Sequence, residues 1–333
     1  MPLDIRALDT VSPADIADYH GLMGELYAVE FPDIDPPTVE AVETMLRPNP
    51  ADVGTRVWLG REGGRLVGGA RLDLLGQENV GLARIGVRVR PVDRRRGLGT
   101  ALLQSAIPAI RDSGYDRLIG GAWGGGPGSR WAAAQGFRTT ASFVMQRLEI
   151  AGGGWRALAG PMPDGFELRR WVGRVPDDMV ESYVDGLIAF EDRPGDQASW
   201  RFPSRTVERL RDEEERLLGR GVEQRGLVAM ESATGAVAGM TVVELTPDDQ
   251  ERAFQKVTAV LPRHRGLGLG VRMKTAMLAW IEDDRPGVRR IQTGTATANV
   301  HMIRINHALG FADAFVSLAL EQSVAELLQR FPD

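Results

Sequence analysis

The sequence predicts an α/β (α+β) protein built from two tandem domains, each with a mixed, mostly antiparallel sheet flanked by helices. The chain has 333 residues, which is long for one domain because an average domain has ~150. An ordered series of strands, a glycine-rich turn and helices occurs once in each half. Turn signals separate short β-prone runs ahead of each glycine-rich turn, as in an antiparallel meander.

The glycine-rich turn is the clearest part of this repeat. The motif Arg-x-x-Gly-x-Gly occurs at 94–99, within "RPVDRRRGLGTALL", and again at 265–270, within "LPRHRGLGLGVRMK", a shift of 171 positions. Each turn follows a β-prone run that ends in proline, and each precedes apolar residues at helical spacing. One such turn could occur by chance, but the same order of elements around both indicates a duplicated domain.

The remaining elements of the two halves also correspond. Strands are expected within 56–75 and 226–245, and a helix, a strand and a second helix follow each turn. The second helix ends at Gly136 in one copy and Gly310 in the other, a shift of 174, where glycine suits the positive φ of a helix C-terminus. We therefore expect an N-terminal domain at 1–150, a Gly- and Pro-rich linker at 151–165 and a C-terminal domain at 166–333.

Composition excludes several classes of function. A formal charge of −5 and a pI near 5.6 argue against nucleic-acid binding. The sequence has no apolar run near the ~20 residues of a membrane span and no signal-peptide order at its start, so we expect a cytoplasmic protein without membrane contact. There is no cysteine and there are four histidines without metal-site spacing, so we expect no metal and no thioester on the enzyme.

Both turns are candidate anion sites. Free backbone N–H groups at a helix N-terminus attract phosphate, glycine permits close approach, and arginine adds charge-assisted hydrogen bonds. A purely structural turn with a solvated basic rim is the alternative. Neither turn has the Gly-Lys-Ser/Thr of a P-loop, and both lie too late in their domain for a dinucleotide fingerprint. The run "GGGPG", residues 124–128, lacks basic residues and is interpreted as a flexible connection.

The order strand, Pro, Arg-x-x-Gly-x-Gly, helix, strand, helix, Gly-Phe resembles the GCN5-related N-acetyltransferase (GNAT) family, and the resemblance covers both halves. It implies two tandem acyl-CoA N-acyltransferase domains with acetyl-CoA as co-substrate. In that family the turn binds the pyrophosphate, and the preceding strand splays from its neighbour and binds the pantetheine arm. Those roles would fall on Arg94, Arg95, Gly97, Gly99, Val87 and Val89 in the first copy, and on Arg265, Gly266, Gly268, Gly270, Thr258 and Val260 in the second.

The two copies differ at the family's polar positions. Family members often have asparagine, then tyrosine seven residues later, then phenylalanine. The second copy has Asn299, Asn306 and Phe311, whereas the first has Gly125 and Ala132 at the polar positions. The resemblance therefore implies that the C-terminal half is catalytic and that Asn299 belongs to its cofactor site. The N-terminal half would bind CoA without turnover, or only shape the substrate cleft.

In the implied reaction, a primary amine of a small molecule or peptide attacks the acetyl thioester directly. The backbone N–H at Val260 would stabilise the oxyanion, and Asn306 would hold the thioester. Glu244 is the first candidate for the base that takes the ammonium proton. It could instead be a solvent-facing strand residue.

Several assignments stay open at this stage. Glu191 and Asp192 are alternative bases, and the acid that protonates the CoA thiolate is water or Tyr183. His264 is expected at the rim of the second turn. The alternative function is a non-catalytic acyl-CoA-binding sensor or scaffold. The oligomeric state is not predicted.

Overall fold

The computed structural model describes residues 2–32, 34–48, 52–191, 199–202, 204–247 and 249–332. It confirms the predicted class, a mixed α/β protein with helices packed on mostly antiparallel sheet. The elements of the first half are β1 (Leu3–Ala7), α1 (Pro13–Glu30), α2 (Val39–Leu46), β2 (Asp52–Glu62), β3 (Arg65–Leu75), β4 (Leu82–Val89), α3 (Leu98–Ser113), β5 (Arg117–Trp123), α4 (Pro127–Ala134) and β6 (Arg138–Glu149).

The second half repeats this order. Its elements are β7 (Phe166–Val172), α5 (Val180–Glu191), α6 (Val207–Gly219), β8 (Glu223–Glu231), β9 (Val237–Leu245), β10 (Arg252–Val260), α7 (Leu269–Asp284), β11 (Arg290–Ala296), α8 (Val300–Leu309), β12 (Ala312–Ser323) and α9 (Val324–Arg330). Ser12 caps α1 in a capping box ahead of Pro13, which is a local signal for a helix start. The run "GGGPG" is more ordered than expected, since Pro127 begins α4.

The chain forms two compact units that exchange their closing strands. The first unit comprises Met1–Thr140, Ala198–Arg201 and Leu318–Asp333, and the second comprises Ala141–Gln197 and Phe202–Ser317. Most of β6 therefore belongs to the second unit, whereas the end of β12 and all of α9 belong to the first. These units differ from a division at 150 and 166 because each half contributes its last strand to the other unit.

The first unit has the strand order β1-β2-β3-β4-β5-β12. The described pairs are antiparallel except for β4 with β5, which is parallel. One apolar cluster joins strand residues to α3 and α9, and it includes Leu102, Leu103, Leu320 and Leu327. A second cluster packs α1 and α2 against β2 and β3. The sheet thus has helices on both faces.

The second unit has the order β6-β11-β10-β9-β8-β7, with β10 and β11 parallel and the other described pairs antiparallel. Helix α7 covers one face, with Met273, Met277 and Ile281 in its cluster. Helices α5 and α6 cover the opposite face, around Met240 and Val242. The stretch expected as a linker is partly packed here: Trp155 is buried, and its indole N–H donates to the Ile150 carbonyl at 3.3 Å.

Because the closing strands are exchanged, the stability of the first unit should depend on α9 at the C-terminal end of the chain. Leu327 in α9 is fully buried in the first unit, so Leu327→Ala should lower the free energy of unfolding by about 2–5 kcal/mol. Hydrogen exchange followed by mass spectrometry should then show lost protection in β5 and unchanged protection in β9. Leu218→Ala, at an exposed helical position, is the matched control. Equal loss in both strands would contradict the assignment.

Candidate active site

In the second unit, the parallel pairing between β10 and β11 ends before either strand does. The paired residues are Arg252–Gln255 with Arg290–Thr293. Strand β10 continues to Val260 while remaining paired with β9, where Val260 lies opposite Gly239. The last five residues of β10 therefore have one free edge, which faces a gap between the two strands.

Backbone groups of Thr258 and Val260 point into this gap. The N–H of Leu261, just beyond the strand, donates to Ala238 O on the β9 side at 2.9 Å. Because successive residues of a strand direct their backbone groups to opposite sides, Thr258 and Val260 direct theirs to the free edge. A backbone edge of this kind needs partners, so it is suited to bind an extended ligand with amide groups.

The strand ends in the second glycine turn. Gly266 has φ +82° and Gly268 has φ +76°, values in the left-handed region that glycine adopts without strain. Gly268 is the N-cap of α7 and provides no side-chain cap, so the first N–H groups of the helix are available to an anion. A Cβ on Gly270 would lie 3.7 Å from Val260 Cγ2, which places the start of α7 directly against the gap.

The first unit has the same backbone arrangement. Pairing of β4 with β5 ends at Arg84 with Ile119, and the N–H of Arg90 donates to Val67 O on β3 at 2.9 Å. By the same alternation, Val87 and Val89 face the free edge. Arg94 Nε donates to Val89 O at 3.2 Å, and Arg265 Nε donates to Val260 O at 3.2 Å.

The Gly-x-Gly step of the first turn also repeats the second. Gly97 has φ +80° and caps α3, and Gly99 follows two residues later within the first turn of that helix. Arg95 takes a positive φ of +65° and is exposed. The two turns are therefore structural equivalents.

The two turns differ in charge. In the first, Arg94 is paired with Glu30 at 2.6 Å, and Arg96 is paired with Asp93 at 3.0 Å and Glu62 at 2.9 Å. In the second, Arg265 is exposed and has no carboxylate partner among the described residues. The carboxylates of the first unit neutralise part of its turn, whereas the second turn keeps the charge that attracts phosphate.

His264 does not lie at the rim of the second turn, as its sequence position suggested. It is buried, accepts a hydrogen bond from Arg263 Nε at 2.9 Å, and stacks edge-on against Phe166 with ring centroids 5.3 Å apart. The equivalent position in the first turn is Asp93. The reason for the burial is that the short helical turn Pro262–His264 directs this side chain inward, towards the start of β7.

Glu244 lies on β9, opposite Phe254 of β10 and Gln224 of β8. Its side chain is 14% exposed, and its carboxylate is 3.3 Å from Lys256 Nζ and 3.4 Å from Gln224 Nε2. Alternation with its neighbour Val243, which contacts the α7 cluster, puts Glu244 on the face covered by α5 and α6. The carboxylate is thus paired and mostly covered rather than facing solvent.

The alternative acid is Tyr183, and the alternative bases are Glu191 and Asp192. Tyr183 is buried, with its ring edge-on to Trp171 at 5.4 Å, and burial raises the pKa of its hydroxyl. A phenol held in this way keeps its proton and acts as a core residue. Glu191 is the last residue of α5, and Asp192 lies outside the described residues.

Asn306, on α8, is fully buried and hydrogen-bonded at both ends of its amide. Its Oδ1 accepts from Lys274 Nζ at 2.8 Å, and its Nδ2 donates to Gln146 Oε1 at 2.7 Å and Thr295 Oγ1 at 3.2 Å. Both amide protons are in use, so the geometry favours a positioning role over the direct hold on the thioester that the sequence suggested. Gln146 extends the chain of hydrogen bonds to Asp313 at 2.9 Å.

Sequence reasoning missed Lys274. This side chain is buried, and its Nζ lies 4.9 Å from the centroid of the Phe311 ring. Burial lowers the pKa of the ammonium to about 7. One signal was present: the chain has two lysines against 38 arginines, and this one lies among the apolar positions of α7.

Asn299 caps α8. Its Oδ1 accepts from the Met302 N–H at 3.1 Å, a local reason for asparagine at this position. Among the described residues no three His, Asp or Glu side chains converge as metal ligands. None of the helices described is both long and apolar enough to cross a membrane.

The chain matches the family described as "Acetyltransferase (GNAT) family" twice, at residues 22–122 and 190–311. Two curated relatives are mycothiol acetyltransferases. The protein of Actinosynnema mirum is 32% identical over 181 residues, which cover 53% of this chain and 57% of that protein. The protein of Nocardia farcinica is 28% identical over 296 residues, which cover 86% of this chain and 88% of that protein.

Solved structures give the same result for the fold. A tandem GNAT protein from the clavulanic acid biosynthesis pathway, solved without AcCoA, is similar over 97% of this chain and 99% of its own, with a TM-score of 0.78 and 27% identity. A GCN5-related N-acetyltransferase from Sphaerobacter thermophilus has a TM-score of 0.71 at 17% identity, over 97% of this chain and 96% of its own. The resemblance stated from the sequence is confirmed: the chain belongs to the acetyltransferase (GNAT) family as a tandem member.

Proposed function

We propose that the second unit transfers the acetyl group of acetyl-CoA to a primary amine of a small molecule or peptide, by direct attack on the thioester. The protein is an acetyl-CoA-dependent N-acetyltransferase. The observation that carries the assignment to this unit is the free edge of β10, which leads into an uncapped glycine turn whose Arg265 has no carboxylate partner among the described residues.

In this proposal the turn holds the cofactor phosphates. The N–H groups after Gly266 and Gly268, the close approach at Gly270 and the Arg265 guanidinium bind the pyrophosphate of acetyl-CoA. The Thr258 backbone and the Val260 carbonyl bind the amides of the pantetheine arm along the free edge. The Asn299 side chain orients the start of α8 beside this arm.

The chemistry then requires a base and an oxyanion donor. Glu244 takes the proton of the attacking ammonium, directly or through water. The Val260 N–H stabilises the charge on the thioester oxygen, because its backbone faces the gap and its donor is not used by β9. Asn306 acts as a positioning residue through the hydrogen bonds described above.

The first unit binds CoA without turnover in this proposal. Its turn (Arg94, Arg95, Gly97 and Gly99) and its free edge at Val87 and Val89 repeat the cofactor geometry. Its binding is weaker, since Glu30, Glu62 and Asp93 neutralise part of the turn. Apolar Ala132 lies where the second unit has Asn306.

We also propose a cytoplasmic location, no resident metal, and no nucleic-acid or membrane partner, from composition. The acetyltransferase names of the relatives support an amine acceptor. The comparisons give no support to the alternative of a non-catalytic acyl-CoA-binding sensor or scaffold.

Replacing one glycine in each glycine turn tests the cofactor assignment. Gly268→Glu puts a side chain at φ +76° and a carboxylate at the anion site, so it should remove CoA binding from the second unit and abolish turnover. Gly97→Glu is the matched variant in the first unit and should leave turnover in place. Native mass spectrometry with acetyl-CoA counts the bound ligands in each variant. Undiminished turnover in Gly268→Glu would remove the site from the second unit.

A pH–rate profile tests Glu244. Glu244→Gln should lower kcat near neutral pH by on the order of 100-fold, a common contribution of a general base. The deficit should narrow at high pH, where the amine substrate loses its proton unaided. Glu251→Gln, an exposed carboxylate in the same unit, is the control. An unchanged profile in Glu244→Gln would show that another group takes the proton.

A further inference from the structure

The second unit buries a polar network where the first unit has apolar side chains. Lys274, Asn306 and Gln146 are joined by hydrogen bonds of 2.8 and 2.7 Å. At shifts of 171 and 174 positions, the first unit has Leu103, Ala132 and Leu320 in their places. These three belong to one buried apolar cluster, so the fold does not require polar groups here.

Burial of an ammonium without a carboxylate partner costs several kcal/mol. Among the residues that the structure describes, Lys274 has no such partner, and its contacts there are the Asn306 amide and the Phe311 ring. Asp313 and His307, the nearest titratable groups along the network, are separated from it by the amides of Gln146 and Asn306. Glu244 and Lys256 lie on the other face of the sheet. A leucine avoids this desolvation cost, as Leu103 does in the first unit, so the buried lysine points to a chemical role.

The position of Lys274 relates it to the gap. It lies one helical turn after Gly270, where a Cβ would lie 3.7 Å from Val260 Cγ2 at the end of β10. On the other side its partner Asn306 bonds to Thr295, which lies on β11 beyond the last residue paired with β10. Lys274 therefore lies one helical turn from the end of β10, and its ammonium is linked through Asn306 to the part of β11 that has diverged from β10. The ammonium has three N–H donors, of which one is given to Asn306, and the other two have no partner among the described residues.

We propose that Lys274 is the general acid of the second unit, which protonates the CoA thiolate as it leaves; this rests on the proposed function. When the tetrahedral intermediate collapses, the C–S bond breaks and its electron pair goes to sulfur. A proton moves from Lys274 Nζ to that sulfur, which gives the free thiol and a neutral amine. The attacking nitrogen loses its excess proton to the base, and Lys274 regains a proton from solvent. Asn306 and Gln146 hold Nζ in place and are positioning residues.

The pH dependence of turnover tests this role. An acid must be protonated to act, and the pKa of Lys274 is lowered to about 7, so wild-type kcat should fall as pH rises through about 7. Lys274→Met keeps the length and burial of the side chain but has no proton to give. It should lose this falling limb and have a kcat lower by on the order of 100-fold at pH 6. With acetyl-seleno-CoA, whose selenolate leaves more readily, the deficit should shrink.

Two further variants separate chemistry from folding. The triple variant Lys274→Leu, Asn306→Ala and Gln146→Leu copies the packing of the first unit. It should bind acetyl-CoA in native mass spectrometry as wild type does and show the same loss of the falling limb. Arg289→Met, at an exposed position, should change neither binding nor turnover. If Lys274→Met retains wild-type kcat and the falling limb, the proposal is overturned.

A readout without turnover distinguishes failure of this proposal from failure of the proposed function. The chain has two lysines, so ¹³Cε-lysine labelling gives two NMR signals, which Lys256→Arg assigns. The Lys274 signal should titrate near pH 7 and shift on addition of CoA. If wild type acetylates no amine in a broad panel, the proposed function fails. If the Lys274 signal does not respond to bound CoA, the assignment of Lys274 fails, whatever the activity.

Discussion

The parallel pairing of β10 with β11 stops at Gln255, while β10 runs on to Val260 and into a helix. The last backbone groups of β10 then have no strand to bond on one side, and buried N–H and C=O groups require partners. An extended ligand with amide groups meets that requirement. The glycine turn follows at once, so an anion bound at the helix N-terminus would adjoin a ligand bound along the strand edge.

Strand β10 of the second unit contains a bulge that its counterpart in the first unit lacks. The register with β9 shifts between Gln255 and Val257, so Lys256 is the extra residue and its side chain reaches Glu244 on the α5 and α6 face. In the first unit, β3 pairs with β4 without such a shift. The bulge therefore places the ion pair of Lys256 and Glu244 on the face of the sheet that α5 and α6 cover.

The two units share a backbone arrangement but bury different side chains beneath it. Leu103 in the first unit needs only apolar neighbours, whereas Lys274 in the second needs an acceptor, and Asn306 supplies one. A network of this kind is stable only when its members are satisfied together. Gln146, which holds the Asn306 amide, comes from the closing strand of the other half of the chain. The exchange of closing strands thus gives the second unit a residue that its own half does not encode.

The repeat, both glycine turns and several helix starts can be predicted from the amino-acid sequence, because these features depend on local chemistry. Glycine at 268 and 97 suits the positive φ of each turn, and Ser12 with Pro13 is a local start signal for α1. Glu244 was identified as a strand residue, but its pairing with Lys256 depends on the bulge. His264 was placed wrongly because its burial depends on Phe166, almost a hundred positions away.

The sheet that each closing strand joins depends on tertiary packing, since β6 and β12 have similar patterns and either could complete either sheet. Tertiary packing also determines the environment of Lys274, whose partner Asn306 lies 32 positions away and is held by Gln146 at a separation of 160. Sequence patterns record the local preference of each residue. The desolvation of an ammonium and the hydrogen bonds that surround it arise only when distant segments pack together.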